Sequence, residues 1–101
     1  MFARVSTAHG RAEETEQVLA VWRQQILPAA QEQQGFRGVL VLSDRSSGKW
    51  YTLTLWDSQA DAGRTMTSDY MRQALAQVGP YLTQPVTQEH LEVLLRFDAE
   101  Q

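Results

Sequence analysis

Six side chains of this 101-residue sequence are candidates for holding a small aromatic molecule or anion. Tyrosine hydroxyls donate hydrogen bonds, indole rings stack on flat ligands, and an arginine neutralises negative charge. A methionine fills irregular space beside such groups. The candidates are Trp22, Tyr51, Trp56, Arg64, Met66 and Tyr70. Each also has a plain packing role as an alternative, because Trp22 lies on an apolar helical stripe and Tyr51 on the predicted core side of a strand.

Residues for metal or nucleophilic chemistry are scarce. The sequence has no cysteine, which excludes disulfides, thiol nucleophiles, Cys-based zinc sites and iron–sulfur clusters. Of the two histidines, His9 lies in a predicted turn and His90 at the start of the predicted last strand. We therefore expect neither a metal site nor a cofactor.

Composition narrows the possible partners. The net charge is −3 and the nine Lys and Arg residues are scattered, so no basic surface for nucleic acid is expected. The longest aliphatic run, Val39 to Leu42, is far too short to span a membrane, and the N-terminus lacks the pattern of a secretory signal. These features predict a cytoplasmic protein whose residues 1–101 form a single domain.

Hydrophobic periodicity predicts six elements along the chain. Strands are expected over 2–8, 37–44, 50–58 and 90–97, and helical regions from about 13 to the end at Gly35 and over 59–78. Pro28 should kink or split the first helix, and Ser58 and Ser68 should cap two pieces of the second. The order predicts an α+β, ferredoxin-like βαββαβ fold, with a four-stranded antiparallel sheet and the helices on one face.

The helices can cover only one of the two faces of such a sheet. We expect the aliphatic face to form the core with the helices: it carries Ala3, Val5, Leu53, Leu55, Leu91, Val93, Leu95 and Phe97. The opposite face is also too apolar for water, since it bears two tryptophans. We expect it to pack against a second copy of the chain. The expected interface residues are Arg4, Trp50, Thr52, Thr54, His90, Glu92, Leu94 and Arg96.

Two stretches resemble the antibiotic biosynthesis monooxygenase family of the dimeric α/β barrel superfamily. They are "ILPAAQEQQGFRGVLVL" at residues 26–42 and "LWDSQADA" at residues 55–62. The resemblance covers nearly the whole chain. It implies a homodimer whose sheets close into an α/β barrel, with a ligand cavity between the sheet and the helices of each protomer.

The resemblance also implies several possible reactions. The residues at particular positions make some of these reactions less expected than others. The haem-degrading branch has an Asn, a Trp and a His at positions that align with Ala3, Thr65 and Leu75, so we expect no haem degradation. Many quinol-oxidising relatives carry histidines in the second helical region, where this chain has Thr65 and Tyr70. The usual catalytic bases are missing.

Three hypotheses remain open from the sequence. The first is a cofactor-independent monooxygenase acting on a small aromatic or quinol substrate, whose anion reacts with oxygen. The second is a non-catalytic dimer that binds a small aromatic or apolar ligand. The third is a scaffold whose dimer surface is its function, and a structure without a cavity would favour it.

Overall fold

The computed structural model describes residues 1–99, which build a four-stranded antiparallel sheet. The strands are β1 (Phe2–His9), β2 (Phe36–Asp44), β3 (Lys49–Trp56) and β4 (Thr87–Glu92). Their order is β2-β3-β1-β4, so β3 and β1 are central. This is the strand order of the ferredoxin-like fold, and the predicted α+β class is confirmed.

Three helices lie between the strands. The first consists of α1 (Thr15–Val21), a wide π-type turn (Trp22–Ile26) and α2 (Leu27–Gln31). The others are α3 (Gln59–Thr65) and α4 (Asp69–Val78). None of the helices within residues 1–99 combines the length and the apolar character that crossing a membrane would require.

Pro28 changes the first helix without breaking it. Proline cannot donate a backbone hydrogen bond, and its ring crowds the preceding turn. The chain responds with the wide turn, in which the Leu27 N–H bonds to the Trp22 carbonyl five residues earlier. Ile26 and Ala30, at 3% and 0% exposure, stay in the core on either side of Pro28. The expected kink therefore takes the form of one widened turn.

Two serines divide the second helical region, as predicted. The Ser58 hydroxyl accepts a hydrogen bond from the Asp61 N–H at 3.1 Å, and the Ser68 hydroxyl accepts one from the Met71 N–H at 3.4 Å. Such side-chain acceptors satisfy N–H groups that have no partner within the first helical turn. The break between α3 and α4 is therefore encoded locally.

The last strand differs from the prediction at both ends. It begins at Thr87 instead of His90 and ends at Glu92 instead of Phe97. Glu92 pairs with Phe2, where β1 begins, and beyond it only the Val93 N–H still bonds to the Met1 carbonyl. The strand therefore stops where its neighbour in the sheet runs out.

The assignment of the two sheet faces is wrong. Arg4, Trp50, Thr52 and Thr54, expected at a dimer interface, lie under the helices and are at most 8% exposed. They cannot contact a second copy of the chain. His90 and Glu92 share their side of the sheet but are exposed, and the exposed Leu94 and Arg96 follow the end of β4. These four residues remain untested as interface residues.

The aliphatic face, which was expected in the core, is the uncovered one. Leu40, Leu42 and Leu91 are 56%, 50% and 49% exposed. Leu53 and Leu55 on the central strand are only half-buried. Leu95 and Phe97, beyond β4, are more than 80% exposed. The core instead lies between the helices and the face that carries the two β3 tryptophans, with Ala8, Val18 and Trp50 at one end.

Candidate functional site

A cavity of about 60 Å³ lies between the helix-covered face of the sheet and the helices. Its floor comes from the central strands, with Arg4, Ser6, Ala8, Trp50, Thr52 and Thr54. Its other walls come from the wide turn, from α4 and from the segment leading into β4, with Trp22, Ile26, Tyr70, Met71, Ala74, Leu75, Val78, Val86 and Gln88. Leu75 is 41% exposed, so the cavity reaches solvent beside α4.

The size of the cavity limits what it can hold. At about 60 Å³ it is smaller than the apolar cavity of about 150 Å³ that binds benzene. An aromatic ring bound here would therefore extend into the opening to solvent beside α4.

Arg4 is the charged group of the cavity. It projects from β1 and is only 2% exposed. Its Nη1 donates to the Thr65 hydroxyl at 2.8 Å and to the Ala62 carbonyl at 3.2 Å, both on α3. Its guanidinium carbon lies 5.2 Å from the centre of the Trp56 ring, a cation–π contact. Burial lowers the pKa of Arg4, although an arginine stays charged even so.

Tyr70 supplies a hydroxyl from α4. The residue is 9% exposed and packs with Ile26, Ala30 and Val78. Burial raises the pKa of Tyr70, and the nearby Arg4 charge offsets part of this rise. Tyr70 is therefore a neutral hydrogen-bond donor at physiological pH.

The cavity brings together two of the six predicted ligand-binding residues, Trp22 and Tyr70. Trp56 lies next to it: the residue is fully buried, supports Arg4 and donates its indole N–H to Thr54 at 2.9 Å. Tyr51 lies on the opposite, uncovered face of the sheet beneath Lys49.

Arg64 and Met66 lie outside the cavity lining. Arg64 donates to the Asp61 carboxylate at 2.8 Å, and its side chain is 55% exposed. Its interaction with Asp61 lowers the pKa of that carboxyl. Met66 is 37% exposed, and its sulfur lies 3.5 Å from Arg4 Nη1. Arg4, not Arg64, is therefore the arginine of the cavity.

Sequence reasoning missed Arg4 as a site residue because it placed the β3 tryptophans on the wrong face. One signal was present: Phe2, Arg4 and Ser6 are spaced two residues apart in a strand and therefore share a face. The tryptophans of the paired strand β3 lie on that same face. A charge among such neighbours indicates either an interface or a site.

A second hollow, of about 270 Å³, lies between α1 and β2. It is larger, but its arginines are engaged: Arg11 pairs with Glu14 and Arg45 pairs with Glu16. We favour the smaller cavity because a buried charge and a buried hydroxyl meet there. Within residues 1–99, no three His, Asp or Glu side chains come together in a way that could hold a metal ion.

A ferredoxin-like sheet whose helices cover a small cavity of polar and aromatic residues is typical of α+β proteins that bind small ligands. Residues 1–77 match the sequence model of the antibiotic biosynthesis monooxygenase family, so the chain belongs to that family. The resemblance seen in the sequence is thereby confirmed. Membership supports a monooxygenase-type function.

Solved structures agree in fold. A monooxygenase from the gene ActVA-Orf6 of Streptomyces coelicolor, in complex with the ligand nanaomycin D, has a TM-score of 0.78 at 14% identity, covering 98% of this chain and 92% of that one. Rv0793 from Mycobacterium tuberculosis has a TM-score of 0.72 at 21% identity, covering 96% and 98%. NE2512 from Nitrosomonas europaea, a protein of unknown function, has a TM-score of 0.74 at 17% identity, covering 99% and 95%. No curated protein matches this chain.

Proposed function

We propose that this chain is a cofactor-independent monooxygenase that acts on a small aromatic or quinol substrate. The observation that carries the proposal is the cavity, where indole rings, the Tyr70 hydroxyl and the Arg4 guanidinium meet in one buried space. The family to which the chain belongs points to the same reaction class. The Streptomyces monooxygenase of the same fold was crystallised with a small molecule, nanaomycin D, which further supports a small-molecule ligand.

The proposed chemistry asks the protein for positioning and electrostatics. An electron-rich phenol or quinol loses a proton to solvent, and its anion passes one electron to dioxygen. The substrate radical and superoxide combine to form a carbon–oxygen bond, and the resulting peroxide loses its outer oxygen as water while the other oxygen stays on the product. Fixed donors aimed at the developing charge stabilise that anion in a site from which water is excluded. Tyr70 and Arg4 are the donors, and Trp22 and Trp50 are the walls.

Tyr70→Phe tests this function. Removing one preorganised donor at a developing anion lowers turnover by about 100-fold. We expect the native protein to accelerate oxygen consumption over a panel of small quinols, with labelled oxygen entering the product, and Tyr70→Phe to lose most of this acceleration. Tyr51→Phe is the matched control, since it removes the same hydroxyl from the uncovered face of the sheet.

The competing hypothesis is a binding module without catalysis. It is favoured by the absence of histidine from the second helical region, where Thr65 and Tyr70 stand. This hypothesis predicts saturable quenching of tryptophan fluorescence by quinols that are recovered unchanged, with no oxygen consumed. The cavity itself argues against the pure scaffold hypothesis.

The proposal also includes a homodimer formed through the uncovered face of the sheet. In that face, Leu40 and Leu42 on β2 adjoin the half-buried Leu53 and Leu55 on β3, and Leu91 on β4 lies beyond Ala3 of β1. A continuous apolar surface of this kind usually marks an interaction site, and a two-fold axis lets one surface pair with itself. We therefore propose that the dimer forms through the aliphatic face of the sheet, opposite to the tryptophan-bearing face that the sequence predicted.

Leu40→Glu should separate the dimer. Two copies of the new carboxylate would be buried against leucines and against each other, which costs several kcal/mol per dimer. We expect the native protein to sediment as a dimer at micromolar concentration and the variant as a monomer. Gln25→Glu adds the same charge on the exposed surface of the first helix and should leave the dimer intact. A native protein that sediments as a monomer contradicts this part of the proposal.

A further inference from the structure

Arg4 is a buried cation with no carboxylate to neutralise it within residues 1–99. Ion pairs in this part of the chain involve six other arginines: Arg11, Arg37, Arg45, Arg64, Arg72 and Arg96. All six have side chains at least 44% exposed, whereas Arg4 is 2% exposed. Burying a charge without an opposite charge is costly, so a protein that does so usually has a use for it.

The guanidinium of Arg4 is held through one of its nitrogens. Its Nη1 bonds to Thr65 and Ala62, and its carbon lies over the Trp56 ring. Its Nε and Nη2 have no acceptor within residues 1–99. Every unpaired side-chain nitrogen in this region keeps some accessible surface, so these two nitrogens are not fully enclosed. Since Arg4 lines the cavity, these free N–H groups open onto it. A fixed guanidinium with two free donors fits an anionic oxygen group.

A second donor lines the same cavity. Within residues 1–99 the Tyr70 hydroxyl has no hydrogen-bond partner, and like the Arg4 nitrogens it is not sealed off. His90, opposite Arg4 on β4, is the other titratable group close to that charge. Burial, and next the charge of Arg4, lower the pKa of His90, so His90 brings no second positive charge at neutral pH.

We infer that Arg4 is the anion-recognition residue of this cavity, and that the ligand is an aromatic anion whose charged oxygen binds between the Arg4 guanidinium and the Tyr70 hydroxyl. The inference rests on the proposed use of the cavity as the ligand site. It specifies the charge of the ligand. The aromatic ring lies toward Trp22 and Trp50, and a carboxylate and a phenolate both satisfy the two donors.

Binding of small probes tests the inference without any turnover. Benzoate and 4-nitrophenolate are the anionic probes, studied at mildly alkaline pH where both are ionised, and benzamide and nitrobenzene are their neutral counterparts. Shifts of the tryptophan indole N–H signals in NMR spectra report binding. We expect each anion to bind about tenfold or more tightly than its neutral counterpart, as hydrogen bonds to charged groups imply. Whichever anion binds more tightly identifies the preferred oxygen group.

Arg4→Met tests whether Arg4 causes the preference for anionic over neutral probes. We expect the variant to bind the anions about tenfold or more weakly and to bind nitrobenzene unchanged. Arg64→Met removes an exposed arginine outside the cavity and should change neither. Tyr70→Phe, which keeps the ring, should weaken anion binding less than Arg4→Met does, and it provides a second test if Arg4→Met does not fold.

The outcomes separate this inference from the proposed function. Equal binding of anions and neutral counterparts by the native protein, or an unchanged preference in Arg4→Met, overturns the role of Arg4 while leaving the cavity as an aromatic site. Binding of neither class overturns both. Anion binding together with an absence of oxygen consumption supports Arg4 and overturns the oxygenase proposal alone.

Discussion

Trp56→Ala is expected to lower the free energy of unfolding by about 3–5 kcal/mol. Trp56 is fully buried, packs edge-on against Phe36 with ring centres 5.5 Å apart, and lies beneath the Arg4 guanidinium. Truncation would leave a large void and remove the surface that holds Arg4. Because a small protein has only about 5–15 kcal/mol of stability, the loss amounts to a large fraction of the total.

Urea denaturation followed by far-UV circular dichroism measures this effect, since the substitution itself changes tryptophan fluorescence. Trp56→Phe is the matched control: it keeps an aromatic ring against Phe36 and loses the indole hydrogen bond to Thr54. We expect it to cost clearly less than the alanine variant. A denaturation midpoint for Trp56→Ala equal to that of the native protein contradicts the central packing role assigned to this residue.

Gly35→Ala is expected to lower the free energy of unfolding by about 3 kcal/mol or more, a large effect for the addition of one methyl group. Gly35 has a φ of +83°, a conformation that costs a residue with a side chain about 1–2 kcal/mol. An added Cβ would also overlap the Asp61 carboxyl and lie 2.6 Å from the Asp61 Cβ. Asp61 cannot move aside cheaply, because Ser58 and Arg64 both bond to its carboxylate.

Gly63→Ala makes the same chemical change, but we expect it to raise the free energy of unfolding. Gly63 lies inside α3, and nothing within 4 Å would meet its added Cβ. Alanine favours a helix over glycine by up to about 1 kcal/mol, so this variant should be more stable. The two unfolding free energies, measured side by side, should fall on either side of the native value. A similar change in both would contradict the close approach of Gly35 to Asp61.

Local signals in the sequence predicted the elements of the fold well. Ser58 and Ser68 cap their helices through hydrogen bonds within three residues, and Pro28 acts on the turn directly before it. Such effects depend on neighbouring residues only, so the residue order alone is enough to predict them. The limits of β4 depend instead on where β1 begins, a long-range property that local pattern does not contain.

The face assignment failed for a related reason. Alternation along β3 shows which residues share a side, but both sides are apolar: one carries Trp50 and Trp56, the other Leu53 and Leu55. Strand periodicity alone cannot tell which side the helices cover. Since the faces exchange as complete sets, one wrong choice misplaced both Arg4 and the proposed dimer surface. Trp22 was found because helical spacing places it on the apolar stripe of its helix wherever the sheet lies, whereas Tyr70 was chosen for its hydroxyl.

The widened turn at Trp22–Ile26 has a bearing on evolution in this family. Each residue of a regular helix advances by about 100°, and a π-type turn takes up one residue more than an ordinary turn. Deleting one amino acid here would restore regular winding, whereas a deletion in α1 would rotate Val18 away from its neighbours. Length differences among homologues in this helix should therefore fall at these five positions, and shortened versions should present a different side chain to the cavity where this protein presents Trp22.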